Sequence, residues 1–284
     1  MQKLQKPKLL VLGASGRIGG ILRRFWSHES VAWQRRAGPA PGWAIFDPLA
    51  EPDALARAAS GCHAILCLAG VVPGQVGRGG NLGDNTTLAK AAVRAGAASG
   101  ASVFLASSAA VYGAAKGVLA ENMAPTPVSD YGRAKVAMER RGAALAAELG
   151  VRVCALRIGN IAGVDAILGG WRPGFQLDQF GDGRTPRRSY IGVKTLARIL
   201  GDLVLGDLML VEDLPPALNI AAPGVVEMGA LLDAAGLAWT PRPAGQAAIE
   251  QVCLSTRALE KVSRLETMSA EALVKEWHGF KGTK

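Results

Sequence analysis

The sequence predicts an α/β protein: a doubly wound parallel sheet with a small C-terminal lobe. Three observations carry that expectation. Over the first half of the 284-residue chain, short β-like runs alternate with alanine-rich helical stretches, which is the pattern of a parallel sheet covered by helices on both faces. The first apolar run breaks into glycines spaced three apart, Gly13, Gly16 and Gly19. After Gly159 the texture changes to Gly/Pro-rich loops, including Gly169-Gly170-Trp171-Arg172-Pro173-Gly174 and Gly181-Asp182-Gly183.

Taken in order, Leu9–Leu12 is a four-residue apolar run that ends at a glycine and reads as a strand. Helical spacing then covers roughly Ile18–Trp26, and a second strand is expected at Val31–Gln34. A strand-like Trp43–Phe46 leads to Asp47, followed by a helix at Pro52–Ser60. A strand at Ala64–Ala69, a helix at Thr86–Ala98 and a strand at Val103–Ser107 continue the alternation. The alanine-rich helix Tyr131–Leu149 starts from Ser129 or Asp130 as N-cap and precedes a strand at Val151–Leu156. Helical patterns return near Val193–Leu205 and from about Ser255 to Trp277. Residues 1–160 are therefore expected to form one domain. Residues 161–284 are expected to form a lobe interleaved with the last sheet elements. Right-handed crossovers place the carboxyl ends of the strands along one rim, where open α/β sheets bind ligands.

A 49% hydrophobic content supplies ample core. Cys62, Cys67, Cys154 and Cys253 are scattered without a Cys-x-x-Cys spacing or clustered histidines, so neither a disulfide framework nor a metal site is expected. A reducing cytoplasm fits that usage, and no segment reaches membrane-spanning length. The net charge of +9 and pI near 9.7 raise a nucleic-acid reading. The basic residues fall in pairs, Arg23-Arg24, Arg35-Arg36, Arg140-Arg141 and Arg187-Arg188, with no basic patch interleaved with aromatics. A solvated surface with a few anion contacts is the expectation.

The run Gly13-Ala14-Ser15-Gly16-Arg17-Ile18-Gly19 lies between a strand and a helix at the start of the chain, the context of a Rossmann-type dinucleotide turn. Glycine removes the Cβ that would hold a pyrophosphate away, and the free N–H groups of the following helix receive the anion. Gly13, Ser15, Gly16, Arg17, Ile18 and Gly19 are the candidate cofactor contacts. At the end of the second strand an acidic residue would accept from the 2′-hydroxyl of NAD, whereas arginine pairs with the 2′-phosphate of NADP. The chain reads Ala32-Trp33-Gln34-Arg35-Arg36, so NADP is favoured over NAD, with Arg35 or Arg36 as clamp.

The strand at Val103–Ser107 runs into Ser108, and Tyr131-Gly132-Arg133-Ala134-Lys135 opens a helix about twenty residues later. A tyrosine and lysine four apart share a helical face, where the ammonium can draw the phenol below its ordinary pKa of about 10. A hydroxyl–carbonyl interconversion needs such a proton carrier, a serine on the substrate oxygen, and a cation for the cofactor ribose. Spacing alone does not choose the tyrosine, because Tyr112–Lys116, Tyr131–Lys135 and Tyr190–Lys194 all satisfy it. Tyr112 lies in a glycine-flanked loop and Tyr190 in an extended run; Tyr131 alone starts a helix.

Together these pieces resemble the extended short-chain dehydrogenase/reductases, specifically the NAD-dependent epimerase/dehydratase family, which acts largely on nucleotide sugars. The resemblance covers most of the chain. It rests on Gly13-x-x-Gly16-x-x-Gly19, Asp47, Ala64–Gly70, Ser107–Gly113, Tyr131–Lys135 and Leu156–Gly163. It implies that Asp47 accepts from the adenine amino group, that Leu68, Ala69 and Gly70 line the cofactor, that Ser108 and Tyr131 are catalytic and that Lys135 binds ribose. Asn160 and Arg188 correspond to positions that meet a nucleotide-sugar diphosphate, with the adjacent Arg187 as alternative. Asn81 or Asn85 supports the site, as asparagines do near there in relatives, or both are turn residues, the favoured reading. A homodimer through the Tyr131 helix and its neighbour is also implied.

Thr195 stands where the family usually has aspartate, Ser189 follows Arg188 where relatives often carry aspartate, and Ala110 replaces a frequent hydroxyl residue. With the short chain, these departures point to a reduced substrate lobe. The leading expectation is an NAD(P)-dependent oxidoreductase of the epimerase/dehydratase type acting on a small-molecule, sugar-nucleotide-like hydroxyl/carbonyl substrate by hydride transfer assisted by Tyr131, Lys135 and Ser108. An NADPH-dependent reductase of a small ketone or aldehyde, and a non-catalytic NADP-binding sensor, are the alternatives.

Overall fold

A strand covered on both faces must be apolar at every position, and Leu9–Leu12 (β1) meets that demand: all four residues are buried. The computed structural model describes residues 9–26, 28–38, 41–206 and 214–281. From β1 the chain runs through α1 (Arg17–Phe25), β2 (Val31–Arg35), β3 (Trp43–Ile45), α2 (Pro52–Ala59) and β4 (Ala64–Cys67). Then come the single turn α3 (Pro73–Val76), α4 (Asp84–Ser99), β5 (Ser102–Ser108), β6 (Val118–Leu119), α5 (Asp130–Leu149) and β7 (Val153–Ile158). The remainder comprises β8 (Asn160–Ile161), β9 (Gln176–Gln179), β10 (Arg187–Arg188), β11 (Tyr190–Ile191), α6 (Val193–Leu205), β12 (Ala217–Ile220), β13 (Val226–Glu227), α7 (Met228–Ala234), β14 (Thr240–Pro243), β15 (Gln251–Leu254) and α8 (Ala270–Lys281).

Seven strands form one parallel sheet in the order β12-β7-β5-β4-β1-β2-β3. Strand order reverses between β1 and β4, and that switch point opens a crevice at their carboxyl ends. The two-residue alternation divides β1 between two cores. Leu9 and Val11 face α1 and α6, while Leu10 and Leu12 face the layer of α2, α4 and α5.

The expected elements of the first half are all present, with shifted ends. β7 begins and ends two residues later than the Val151–Leu156 reading, and β5 reaches Ser108. β4 stops at Cys67, which leaves Leu68–Gly70 as a loop over the crevice. The helical reading from Ser255 to Trp277 is corrected: only Ala270–Lys281 is α-helical, preceded by a 3₁₀ turn at Leu259–Lys261. The cause is strand pairing, because the Ser255 N–H still donates to the Leu119 carbonyl at the end of the β15–β6 ladder. Leu259, Val262 and Leu265 then act as separate anchors on the main core.

β12 was not legible in advance, since its Ala-Leu-Asn-Ile run carries a polar residue in a fully buried sheet. Asn219 is satisfied there: its Nδ2 donates to the Leu119 and Ser255 carbonyls and its Oδ1 accepts from the Tyr112 hydroxyl at 2.8 Å. Beyond β7 the small paired strands and α7 and α8 form a separate apolar cluster with Trp277 packed on Gly163. At Thr195, Glu276 of α8 supplies a carboxylate: it accepts from the Lys194 and Thr195 N–H groups and the Thr195 hydroxyl. Among the described residues no helix is long and apolar enough to cross a membrane, and no group of three or more His, Cys, Asp or Glu is placed to hold a metal.

Candidate active site

The switch-point crevice is a cleft of about 690 Å³. Gly13, Ser15 and Gly16 form its floor at the end of β1; Arg35, Arg36 and Asp47 lie on the β2–β3 side, and Leu68, Ala69 and Gly70 on the β4 side. Gly13 has φ +75°, and a Cβ there would stand 2.6 Å from the Ala69 nitrogen. A Cβ at Gly19 would stand 2.3 Å from the Ala14 carbonyl, so this glycine lets α1 pack against the turn. Gly13→Ala is expected to cost roughly 2–4 kcal/mol from left-handed strain plus overpacking, read as a lowered melting temperature together with weakened cofactor binding.

Gln34 is a functional residue that sequence reasoning missed. Buried at the end of β2, its Oε1 accepts from the Gly13 N–H at 2.9 Å and its Nε2 donates to the Phe46 carbonyl at 2.6 Å. It locks the glycine turn to the two edge strands, and nothing in an isolated Gln announces that. Ile18 packs against the main core. Arg17 sends Nη1 across to the Val164 carbonyl at 2.5 Å, joining the glycine turn to the loop after β8. The Asp47 carboxylate accepts from the Leu49 N–H at 2.9 Å.

On the other side of the cleft, Ser129 caps α5, its Oγ accepting from the Gly132 N–H at 3.1 Å. That start sets Tyr131 and Lys135 on one face, with the Lys135 Nζ 5.7 Å from the Tyr131 ring centroid. The side chains of Tyr131 and Ser108 are hydrogen-bonded to each other. Ser108 in turn caps a 3₁₀ turn at Ala109–Tyr112, accepting from the Ala110 N–H at 3.2 Å. Thus Ser108, Tyr131 and Lys135 are brought together.

The electrostatics correct one expectation. Burial pushes the Tyr131 phenol above its ordinary value, although the Ser108 hydrogen bond and the Arg17 charge pull it down. The desolvation of the aromatic hydroxyl outweighs the Ser108 hydrogen bond and the Arg17 charge together. Tyr131 is accordingly a protonated donor in the free protein, and Arg17 is the cation that acts on it.

Lys135 is buried, and burial lowers it from 10.5 to about 8, opposed by Cys67 and Glu139. Its Nζ donates to the Ala106 carbonyl at 2.8 Å and to Asn85 Oδ1 at 3.0 Å. Of the two readings open for Asn85, the structure favours the supporting one over the turn residue: its side chain anchors the lysine. Its amide also clasps Val71, donating to the carbonyl at 3.0 Å and accepting from the N–H at 3.2 Å. A Cβ on Gly70 would meet Asn85 Oδ1 at 2.6 Å, so the glycine makes this approach feasible. Asn81 is a turn residue, accepting from the Gly83 N–H.

On the expectation that a charged Lys135 binds the cofactor ribose, activity is expected to fall as pH rises through about 8. Stability moves the other way. The unfolded chain binds the extra proton between about 8 and 10.5, so this group's penalty on the fold is relieved across that window. A pH–rate profile beside a pH-dependent denaturation series checks both signs.

At the far end, Asn160 opens β8 and its side chain is hydrogen-bonded to the Tyr190 hydroxyl, which donates to Asp165 Oδ2 at 2.8 Å. Tyr190 lies in a strand, apart from any helical partnership with Lys194. Tyr112 is wholly buried, its hydroxyl also taking the Arg157 guanidinium at 3.0 Å. Of the adjacent arginines, Arg187 is paired with the Glu250 carboxylate at 2.8 Å. Among the described residues Arg188 donates only to carbonyls, those of Ile249 and Arg187 at 2.8 Å and of Glu250 at 3.3 Å, and burial holds its pKa down. Arg188 therefore retains an unneutralised charge.

A parallel sheet with a glycine turn at its switch point defines a dinucleotide-binding α/β protein. The chain belongs to the NAD-dependent epimerase/dehydratase family, whose family model matches residues 9–169. No curated protein matches it. Among solved structures it is similar to the UDP-glucose 4-epimerase of Thermus thermophilus complexed with NAD, at 19% identity and a TM-score of 0.74 over 98% of this chain and 100% of that one. MoeE5 in complex with UDP-glucuronic acid and NAD gives 23% identity and a TM-score of 0.73, covering 97% and 99% respectively. The dTDP-glucose 4,6-dehydratase DesIV of Streptomyces venezuelae, with NAD bound, gives 18% identity and a TM-score of 0.73 over 97% of each chain.

Proposed function

We propose that the protein is an NADP-dependent enzyme that interconverts a hydroxyl and a carbonyl on a nucleotide-sugar-like substrate. The observation that carries this reading is the meeting of the Tyr131 hydroxyl, the Ser108 side chain and the Lys135 ammonium beside the glycine cleft. Tyr131 gives a proton to, or takes one from, the substrate oxygen. Ser108 holds that oxygen, and Lys135, fixed by Asn85 and the Ala106 carbonyl, binds ribose hydroxyls. When bound, the nicotinamide supplies or accepts the hydride. NADP is preferred to NAD because Arg35 and Arg36 occupy the cleft edge where NAD would need a carboxylate, and Arg35 Nε is buried there without an acceptor. Asp47 receives the adenine, and Arg188 and Asn160 meet the substrate diphosphate.

In this reading residues 1–160 hold the cofactor, residues 161–284 form the substrate lobe, and the protein works in the cytoplasm as a homodimer through α4 and α5. Thermal-shift screening with NADP, NAD and a panel of nucleotide sugars tests the assignment, since ligands that bind only the folded form raise its melting temperature by mass action. Stabilisation by NADP and at least one nucleotide sugar is expected; no response to any dinucleotide would overturn it.

A second reading, a net NADPH-dependent reductase of a small ketone or aldehyde, is favoured by the same arginine pair. Absorbance of the reduced nicotinamide during turnover separates the two. Steady net consumption marks the reductase, and unchanged absorbance marks an enzyme that returns hydride to its substrate.

A further inference from the structure

The cleft carries a third guanidinium that the NADP reading above does not use. Arg78 lies in the loop between α3 and α4 and lines the same cleft as Arg35 and Arg36. The sheet order β4-β1-β2 puts the two groups on facing walls: Arg35 and Arg36 leave the end of β2, and the Arg78 loop leaves the end of β4. Two strand spacings, roughly 10 Å, separate those walls. An anion held in the cleft between those walls, at the β2 end where Arg35 and Arg36 lie, is then within reach of long side chains from both.

The Arg78 loop is built. The Gln75 carbonyl accepts from the N–H groups of both Arg78 and Gly80 at 2.9 Å, and Gln75 Oε1 accepts from the Val72 N–H at 3.0 Å. Gly79 turns at φ +86°, and a Cβ on Gly80 would stand 2.9 Å from the Gln75 carbonyl, so the chain closes tightly just past Arg78. The root of the loop, Val71, is clasped by Asn85. Among the described residues no hydrogen bond or ion pair engages the guanidinium of Arg78 or of Arg36, and Arg35 Nε is buried without an acceptor. The carboxylates on the same cleft are Asp47, which is engaged by the Leu49 N–H, and Asp84 at the start of α4.

We propose that Arg78 is a specificity residue that clamps the cofactor's 2′-phosphate from the β4 wall, facing Arg35 and Arg36. A dianion with several acceptor oxygens can satisfy forked donors from two sides at once, which a 2′-hydroxyl cannot. The assignment rests on the NADP reading, and its test separates the two.

Full-length protein and the Arg78→Met and Arg78→Lys variants are titrated with 2′,5′-ADP and 5′-AMP, and with NADP and NAD. The unaltered protein is expected to bind 2′,5′-ADP more tightly than 5′-AMP. Arg78→Met is expected to weaken 2′,5′-ADP and NADP by roughly tenfold, the worth of one charge-assisted contact, while 5′-AMP and NAD change less than about twofold. Arg78→Lys is expected to fall between, keeping charge and losing the fork. Equal weakening of both ligand pairs would place Arg78 on a part common to both cofactors and overturn the proposal. No change in either pair would make Arg78 a solvated surface charge and overturn it too. Absence of any 2′,5′-ADP preference in the unaltered protein would instead sink the NADP reading itself.

Discussion

Tyr131→Phe is expected to lower kcat by roughly 100- to 10,000-fold, the range a positioned proton carrier contributes, while dinucleotide binding stays within about twofold. The variant loses one hydroxyl and its hydrogen bond to Ser108, and keeps the ring under the Lys135 ammonium. Titration of cofactor into the variant, beside its steady-state rate, checks both halves. An unaltered rate would remove Tyr131 from the mechanism. The residual activity carries further information, because Ser108 remains in place to hold a substrate oxygen, capped onto its own 3₁₀ turn by the Ala110 N–H. Arg17→Met is expected to act in the opposite sense on the protonation of the phenol: removing the cation that pulls Tyr131 down leaves burial unopposed on that side. The limb of the pH–rate profile that reports Tyr131 then moves to higher pH.

The skeleton of this site was legible in the sequence because it depends on backbone chemistry. Only glycine tolerates φ +75° at Gly13 with Ala69 a bond length or two from where a Cβ would stand, so the turn is written in residue type. Helix α5 was equally legible, as Ser129 caps it and alanines fill it. Side-chain partnerships were not legible. Asn85 lies fifty residues from Lys135, and Gln34 lies twenty-one from Gly13, so each meets its partner only through the sheet order. The sense of the Tyr131 shift also failed to show, because spacing reveals a neighbouring charge and says nothing about how deeply the phenol is buried. Arg187 and Arg188 became distinguishable only when Glu250, more than sixty residues away, was seen to neutralise the first.

The largest loss of stability is expected from Glu139→Ala. Glu139 lies one turn beyond Lys135 on α5, where its carboxylate accepts from the Ser107 hydroxyl at 2.5 Å and from the Arg157 guanidinium at 2.8 Å. The two charged side chains are only 7% and 10% exposed, so truncating one leaves an uncompensated buried charge on the other. That costs about 3–5 kcal/mol, read from chemical denaturation. Arg157 cannot move to water, because its Nη1 also donates to the Tyr112 hydroxyl and the Glu121 carbonyl, both at 3.0 Å. Replacing both partners with apolar residues in Glu139→Leu/Arg157→Leu is expected to restore much of the loss, since a buried pair is held together more strongly than it stabilises the fold. Function should part from stability in that double variant. Ser107 adjoins Ser108, and Glu139 follows Lys135 by one turn, so the carboxylate joins the strand end bearing the serine to the helix bearing the lysine and tyrosine. It is also one of the two groups that hold Lys135 up against burial. Lys135 faces Cys67 from β4, Asn85 from α4, the Ala106 carbonyl from β5, and Tyr131 and Glu139 from its own helix. With Glu139 gone, the alkaline limb of the pH–rate profile is expected to move below about 8, even where the fold has recovered. A double variant with restored stability and an unmoved alkaline limb would reduce the carboxylate to a purely structural tie.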